Sequence, residues 1–292
     1  MKKIGIVGSG RWAKVTLRIL INIFNGKIKF IFFSNNGIEQ LKNWISQENI
    51  KIDYLEVADY DQVSKKICDA YIILNAAKDH FRISKKIISS RKPIIIEKPL
   101  ALSKSDVKIL VDLSIKEKTI FAASNIFLYA DYILNFKKLI SASQNISSIE
   151  FIWSDPKDES RYGDLKHFDP SLGIHKDVLP HIFSIVFYLF ETNKATVKNI
   201  CFLNGGSYIK ISMIIDGKNC NIKIKRNNKK RERIIKILDK DIIKMDFANE
   251  PGIVKINNKK EILDTQWDIS ESPATKMYRS FFDTLNKKNS TL

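Results

Sequence analysis

The sequence predicts an N-terminal α/β half built on a doubly wound parallel sheet, followed by an α+β half built on a large, mostly antiparallel sheet. Three observations predict this. Up to residue 123, short apolar runs alternate with segments of helical spacing, which is the pattern of βαβ units. Beyond 123, strand-like segments follow one another across short turns such as Asp216-Gly217, which implies antiparallel neighbours. A glycine-rich turn stands between the first strand and the first helix.

In the first half the strand candidates are Lys3–Val7, Ile28–Phe33, Tyr54–Val57, Ala70–Asn75, Pro93–Glu97 and Thr119–Ala123. Helical spacing of apolar residues marks Trp12–Phe24, Gly37–Gln47, Asp61–Lys66, Phe81–Ser89 and Ser103–Lys116, the last capped by Ser103 with Asp106 three residues on. A parallel sheet of about six strands is therefore complete near residue 123. In the second half a helix at Tyr132–Leu139 leads into strands at Ser148–Trp153, Ala195–Phe202, Tyr208–Ile215, Asn219–Lys225, Ile234–Leu238, Ile242–Phe247 and Ile253–Ile256. His175–Phe190 is a helix among them, with Pro180 placed in its first turn, and Ala274–Leu285 is a closing helix. The expected domains are 1–123 for binding a dinucleotide and 124–292 for substrate and oligomerisation, the closing helix included.

The 292 residues carry a formal charge of +17, which raises nucleic acid as a partner. The one dense basic stretch, Lys223 to Arg233, alternates with apolar residues like an exposed strand face, ends in a polar turn at Asn227-Asn228 and has no interleaved aromatics to stack bases. Nucleic acid is therefore not expected, and an anionic small molecule remains compatible with the charge. Cys68, Cys201 and Cys220 are odd in number and widely spaced, which argues against a disulfide framework or a zinc ribbon. Arg11, Lys14 and Arg18 interrupt the apolar run behind Met1-Lys2-Lys3 too early for an export signal, and no run approaches the roughly 20 apolar residues that cross a bilayer. A reduced, cytoplasmic protein without a membrane partner is expected.

Gly8-Ser9-Gly10-Arg11-Trp12-Ala13 follows the first strand and opens the first helix. In that context Gly8 permits a tight turn, Gly10 lets the backbone approach a pyrophosphate, and Ala13 lets the helix sit close to the sheet. This is the pattern of a Rossmann domain, with the helix N-terminus facing the phosphates. A tightly packed turn with no ligand is the bland alternative. The second strand ends Phe33-Ser34-Asn35-Asn36, without the carboxylate that NAD sites use for the ribose hydroxyls. Ser34, Asn35 and Arg11 offer donors to a 2′-phosphate instead, so NADP is expected as the cofactor, with NAD possible.

Two further motifs bear on chemistry. Glu97-Lys98-Pro99 leaves the apolar run Ile94-Ile95-Ile96, where an α/β enzyme places a catalytic cation. Asp177 and His181, four residues apart on one helix, share a face. Together with the N-terminal glycine turn, and with Pro99-Leu100-Ala101-Leu102 and His80 as supporting matches, they make the chain resemble the glucose-fructose oxidoreductase/inositol dehydrogenase/rhizopine catabolism (Gfo/Idh/MocA) family. The resemblance implies an oxidoreductase that moves hydride between a nicotinamide cofactor and a hydroxyl or carbonyl of a sugar, nucleotide-sugar or polyol derivative. It implies that Lys98, Asp177 and His181 are catalytic, with Lys98 polarising the oxygen and His181 exchanging its proton across a cleft. Gly8, Ser9, Gly10, Arg11, Trp12, Ala13, Ser34, Asn35, Asn75, His80, Glu97 and Lys98 would contact the cofactor, and Asn125 and His175 the substrate. It further implies a homodimer or homotetramer paired through the C-terminal sheet.

Alternatives are an imine or conjugated-double-bond reductase on the same fold, and a non-catalytic dinucleotide-binding regulator. Metal is not expected, because His167, Asp169, His175, Asp177 and His181 lack a recognised ligand spacing. The chain departs from the family at Ser124-Asn125-Ile126, where an Asn-Arg contact is common, and at Ser184, where many relatives have Asp. These departures fall in the substrate half.

Overall fold

A computed structural model describes residues 2–290 apart from 53–54, 142, 144, 162–163, 166–167, 170–171, 193 and 263–270. The chain divides into two compact units, Met1–Ser124 with Ala274–Leu292, and Asn125–Pro273.

The first unit holds a six-stranded parallel sheet in the order β3-β2-β1-β4-β5-β6. Its strands are β1 (Lys2–Val7), β2 (Ile28–Phe33), β3 (Leu55–Ala58), β4 (Ala70–Ile73), β5 (Ile94–Ile96) and β6 (Phe121–Ala123). Ile4, Ile6, Val7, Phe30, Phe32, Ile72 and Ile94–Ile96 are buried on both faces, as continuous apolar runs in a covered parallel sheet must be. Helices α1 (Arg11–Ile23), α2 (Ile38–Gln47), α3 (Ala77–Ser89) and α4 (Lys104–Lys116) are the crossovers. Helix α1 buries Ala13, Thr16, Leu17 and Leu20, a single stripe at helical spacing. Helix α4 starts where Ser103 Oγ accepts the amide of Asp106 at 3.1 Å, the expected cap. The helix expected at Asp61–Lys66 is instead a single 3₁₀ turn over Tyr60–Gln62, since six residues with only Val63 buried cannot sustain a helical nucleus.

The closing helix α7 (Pro273–Ser290) corrects the expected domain boundary, because from Ala274 onward it belongs to the first unit. The buried hydroxyl of Tyr278 lies 2.9 Å from Thr16 Oγ1 of α1, and Phe282 meets Phe24 edge to face. These apolar side chains cover the outer side of α1, which the first 124 residues alone would leave bare.

The second unit is a sheet of eight strands in the order β10-β11-β12-β7-β13-β14-β15-β16, beside a two-stranded ribbon of β8 (Ser160–Arg161) and β9 (Asp164–Leu165). Its strands are β7 (Ser148–Pro156), β10 (Ala195–Leu203), β11 (Tyr208–Ile215), β12 (Lys218–Asn228), β13 (Glu232–Leu238), β14 (Ile242–Asp246), β15 (Ile253–Ile256) and β16 (Lys259–Ile262). All neighbours are antiparallel except β7 and β12, which run parallel at the centre. Cys220, Ile222 and Ile224 alternate with Asn219, Asn221 and Lys223, so one face is apolar and the other polar. The apolar face packs into one core with α5 (Asp131–Ser141) and α6 (Ile174–Phe190).

Two details differ from expectation. Pro180 is the seventh residue of α6 and lies in its interior, because the helix begins at Ile174. The basic stretch Lys223–Arg233 is an exposed strand face only in part. Arg233 is 2% exposed and sits on the apolar face, as the cross-strand partner of Trp153.

Candidate active site

The glycine turn uses its two glycines differently. Gly8 has φ +114°, and a Cβ there would lie 2.9 Å from the backbone nitrogen of Asn75 and from the carbonyl carbon of Leu74. Backbone from β4 fills that place, so the fold itself demands glycine. Gly10, the N-cap of α1, has an ordinary φ of −76°, and a Cβ there would meet nothing within 4 Å. Packing does not require glycine at position 10. Ala13 is buried against the sheet, the first turn of α1 contains no acidic residue, and Arg11 and Trp12 stand half-buried in that turn. No carboxylate of its own first turn therefore competes for the positive end of the helix dipole.

At the end of β2 the Ser9 and Ser34 hydroxyls lie 3.0 Å apart and both reach the carbonyl of Asn36, at 2.7 and 2.5 Å. Ser34 is 6% exposed and also hydrogen-bonds the phenol of Tyr60, whose own pKa is raised chiefly by burial. Ser34, expected at the cofactor, thus has its hydroxyl hydrogen-bonded inside the loop. Asn35 is exposed, and its Oδ1 accepts the amide of Tyr60 at 3.1 Å, which leaves its Nδ2 as the outward donor.

Past β4, Asn75 has its Oδ1 buried with no hydrogen-bond partner among the described residues. Past β5, Glu97 and Lys98 are half-buried and the Lys98-Pro99 peptide is cis. His80 was expected to contact the cofactor, yet it is 1% exposed. Its Nδ1 lies 2.7 Å from the carbonyl of Pro99 and its Nε2 lies 2.9 Å from that of Asn75. Both nitrogens are thus spent on backbone. Burial is the main cause that lowers its pKa, with nearby Lys98 acting the same way and the two carbonyls and Asp79 opposing.

In the second unit Asp177 and His181 sit one turn apart on α6. The Asp177 carboxylate is paired with Arg226 of β12 at 3.0 Å, both groups largely shielded, and the guanidinium also lies 4.4 Å from the centre of the Phe168 ring. His181 stacks on Trp153 and meets Phe127 edge to face, with Phe247 completing the aromatic walls. The Arg233 guanidinium lies 3.8 Å from the centre of the Trp153 ring and is ion-paired with Asp155, which is 3% exposed. Burial pushes the Arg233 pKa down to about 10, against the pull of Asp155. His175 folds back on Gly173 and touches Phe202, and its pKa is lowered by burial and then by Lys176. Asn125 caps the 3₁₀ turn Ile126–Tyr129 that carries Phe127.

Phe127 and the Arg233–Asp155 pair carry no signal in the sequence that singles them out. Arg226 carries one, as a cation at the inward-facing parity of Ile222 and Ile224 at the end of β12. Among the described residues, no three His, Cys, Asp or Glu side chains gather as metal ligands would, and His167 lies outside those residues. Among the described residues, no helix is long and apolar enough to cross a membrane.

A doubly wound parallel sheet with a glycine turn between its first strand and first helix makes the first unit a Rossmann-like domain. The family model described as an oxidoreductase family with an NAD-binding Rossmann fold, that of the Gfo/Idh/MocA proteins, matches residues 2–124. No curated protein sequence matches the chain. Among solved structures, a levoglucosan dehydrogenase in complex with NADH and levoglucosan is similar, with a TM-score of 0.79 at 13% identity over 98% of this chain and 90% of that one. A 3-ketoreductase from Actinomadura kijaniata, in complex with TDP-benzene and NADP, has a TM-score of 0.78 at 12% identity over 98% and 90%. A biliverdin reductase from a Synechocystis species, in complex with biliverdin and NADP+, has a TM-score of 0.70 at 13% identity over 97% and 90%. At these identities the likeness is one of fold, and it extends through the second unit.

Proposed function

We propose that the protein is an NADP(H)-dependent dehydrogenase or reductase acting at a hydroxyl or carbonyl of a sugar, nucleotide-linked sugar or related polyol derivative. The observation that carries the reading is Gly10, a glycine that neither backbone angle nor packing requires, at the head of a helix with no acidic residue in its first turn. Backbone there is open to a pyrophosphate. Gly8, Ser9, Gly10, Arg11, Trp12 and Ala13 would hold the phosphates, Asn35 the 2′-phosphate, and Asn75, Glu97 and Lys98 the nicotinamide half. The loop after β2, with no carboxylate among Ser34, Asn35 and Asn36, supports NADP over NAD.

A bound nicotinamide supplies or accepts hydride. In this reading the Lys98 ammonium donates a hydrogen bond to the substrate oxygen and stabilises the negative charge that grows there during reduction. His181 delivers the proton from a ring nitrogen, or removes it in the oxidative direction. Asp177, ion-paired with Arg226, is a fixed charge that orients its helix and the substrate rather than a proton carrier. Asn125 and His175 stand with α6 as candidates for substrate contact. The similar folds solved with levoglucosan and with a TDP-linked ligand set the first substrates to try.

The test is fluorescence titration with NADPH and NADH, followed by turnover assays with levoglucosan, TDP- and UDP-sugars, and biliverdin. Tighter NADPH binding and turnover of a sugar support the proposal. Turnover of biliverdin alone moves the protein to double-bond reduction, and tight binding without hydride loss to any of these compounds moves it to a regulator.

A further inference from the structure

We infer that His80 is the residue that positions the nicotinamide half of the dinucleotide site, by tying the tip of β4 to the turn after β5. The inference rests on the dinucleotide reading above. The sheet order places β2 and β3 on one side of β1 and β4 and β5 on the other. A dinucleotide straddles such a sheet with its pyrophosphate over the turn after the first strand and its adenosine ribose at the end of the second. The nicotinamide half then lies over the tips of β4 and β5, the loops that carry Asn75 and Lys98.

His80 stands in the first turn of α3, directly behind those loops. Its ring spans the gap between two backbone carbonyls, Pro99 at 2.7 Å and Asn75 at 2.9 Å, and is buried from solvent. A neutral imidazole has one N–H and serves one carbonyl at a time, and a protonated ring serves both. In either form the ring fixes the separation of the two loops without itself reaching a ligand. A phenylalanine of similar size would fill the space and offer no donor to carbonyls that burial has removed from water. The loops would then drift by fractions of an ångström, and alignment at the reacting end of a site is sensitive to displacements of that size. The glycine turn and the end of β2, which hold the other half of the dinucleotide, do not contact His80 through either nitrogen.

The experiment compares wild type, His80→Phe and His80→Gln by calorimetric titration with NADPH and with adenosine 2′,5′-bisphosphate, which carries only the adenosine end. If NADH binds more tightly than NADPH, NADH and ADP take their places. For His80→Phe the expected result is NADPH binding weaker by roughly tenfold, the size of one lost hydrogen bond to a buried group. Bisphosphate binding should stay within about twofold of wild type, and His80→Gln, which keeps an amide donor, should fall between wild type and His80→Phe for NADPH. Loss of both ligands in equal proportion would indicate a merely structural role and overturn the inference, as would loss of neither. Proton-detected ¹⁵N spectra of the four histidine rings in wild type give a second readout. One imidazole N–H should be protected from solvent exchange and vanish in His80→Gln, and its absence from wild type would overturn the tie even if His80→Phe fails to fold. Failure of wild type to bind either ligand would refute the dinucleotide reading and leave the ring spectra to judge His80.

Discussion

Alanine at Gly8 and alanine at Gly10 should damage the protein in different ways, and the difference separates what the turn does for the fold from what it does for a ligand. At Gly8 two costs combine. A φ of +114° strains any residue with a Cβ by roughly 1–3 kcal/mol. The new methyl would also stand 2.9–3.0 Å from three backbone atoms of Leu74 and Asn75. Those atoms are held by the Leu74 amide bonded to Val7 and the Gly8 amide bonded to Phe33, so relief requires the sheet to shift, at about 1–3 kcal/mol for overpacking. The total of about 2–6 kcal/mol is a large share of the roughly 5–15 kcal/mol that stabilises an ordinary domain. At Gly10 the angle is ordinary and the space is empty, so the change should be near neutral: a slight loss at the N-cap is offset by a less flexible unfolded chain, both within about 1 kcal/mol. Its methyl would nevertheless occupy the approach to a pyrophosphate. Urea unfolding followed by circular dichroism should show Gly8→Ala strongly destabilised and Gly10→Ala close to wild type, while NADPH titration shows Gly10→Ala weakened at least tenfold. Wild-type NADPH affinity in Gly10→Ala would refute the claim that phosphates pass over this turn, and comparable destabilisation of the two variants would refute the packing argument.

Lys98→Met should leave NADPH affinity within about threefold and lower turnover by roughly 10²–10³-fold with whichever substrate the screen finds, and unchanged turnover would remove Lys98 from the mechanism. Asp155→Ala strands the buried Arg233 charge and should cost about 3–5 kcal/mol in urea unfolding, whereas the double change Asp155→Leu/Arg233→Met should cost far less. The pKa values of His80 and His175 are both lowered, chiefly by burial, so the unfolded chain binds more protons than the native one just below the ordinary histidine value. Stability should therefore be flat above about pH 7 and fall as the pH drops through 6.5 toward 5, less steeply in His80→Gln. On the open face of the larger sheet Lys210 pairs across strands with Lys223, and Lys236 with Lys244, while Glu150 hydrogen-bonds Lys223 and Lys236. If the chain dimerises by pairing these faces, light scattering should find the dimer tighter at 0.5 M than at 0.05 M salt, since screening relieves the repulsion between the lysines.

What the sequence disclosed follows from how local each determinant is. The strands of the first unit were readable because a parallel sheet covered on both faces needs unbroken apolar runs, and Ile94-Ile95-Ile96 can hardly be anything else. The antiparallel strands were readable from alternation, and the helix cap at Ser103 from a three-residue spacing. The closing helix is legible in the sequence, but its place in the first unit is not, because the partner of its Tyr278, Thr16, is 262 residues away and no pattern within α7 points to it. The same limit applies to chemistry. Lys98 and the glycines announce themselves through position on a strand tip and turn, whereas Arg226 and Asp177 become partners only when β12 lies beside α6. Ser34 illustrates the same limit: a hydroxyl at a strand end reads as a donor to a ligand, and only the folded loop brings the carbonyl of Asn36 onto it. Arg233 is the most instructive case. In sequence it closes a run of cations that looks solvated, and only the register of β13 against β7 turns it inward onto Trp153, beneath the ring that stacks on His181.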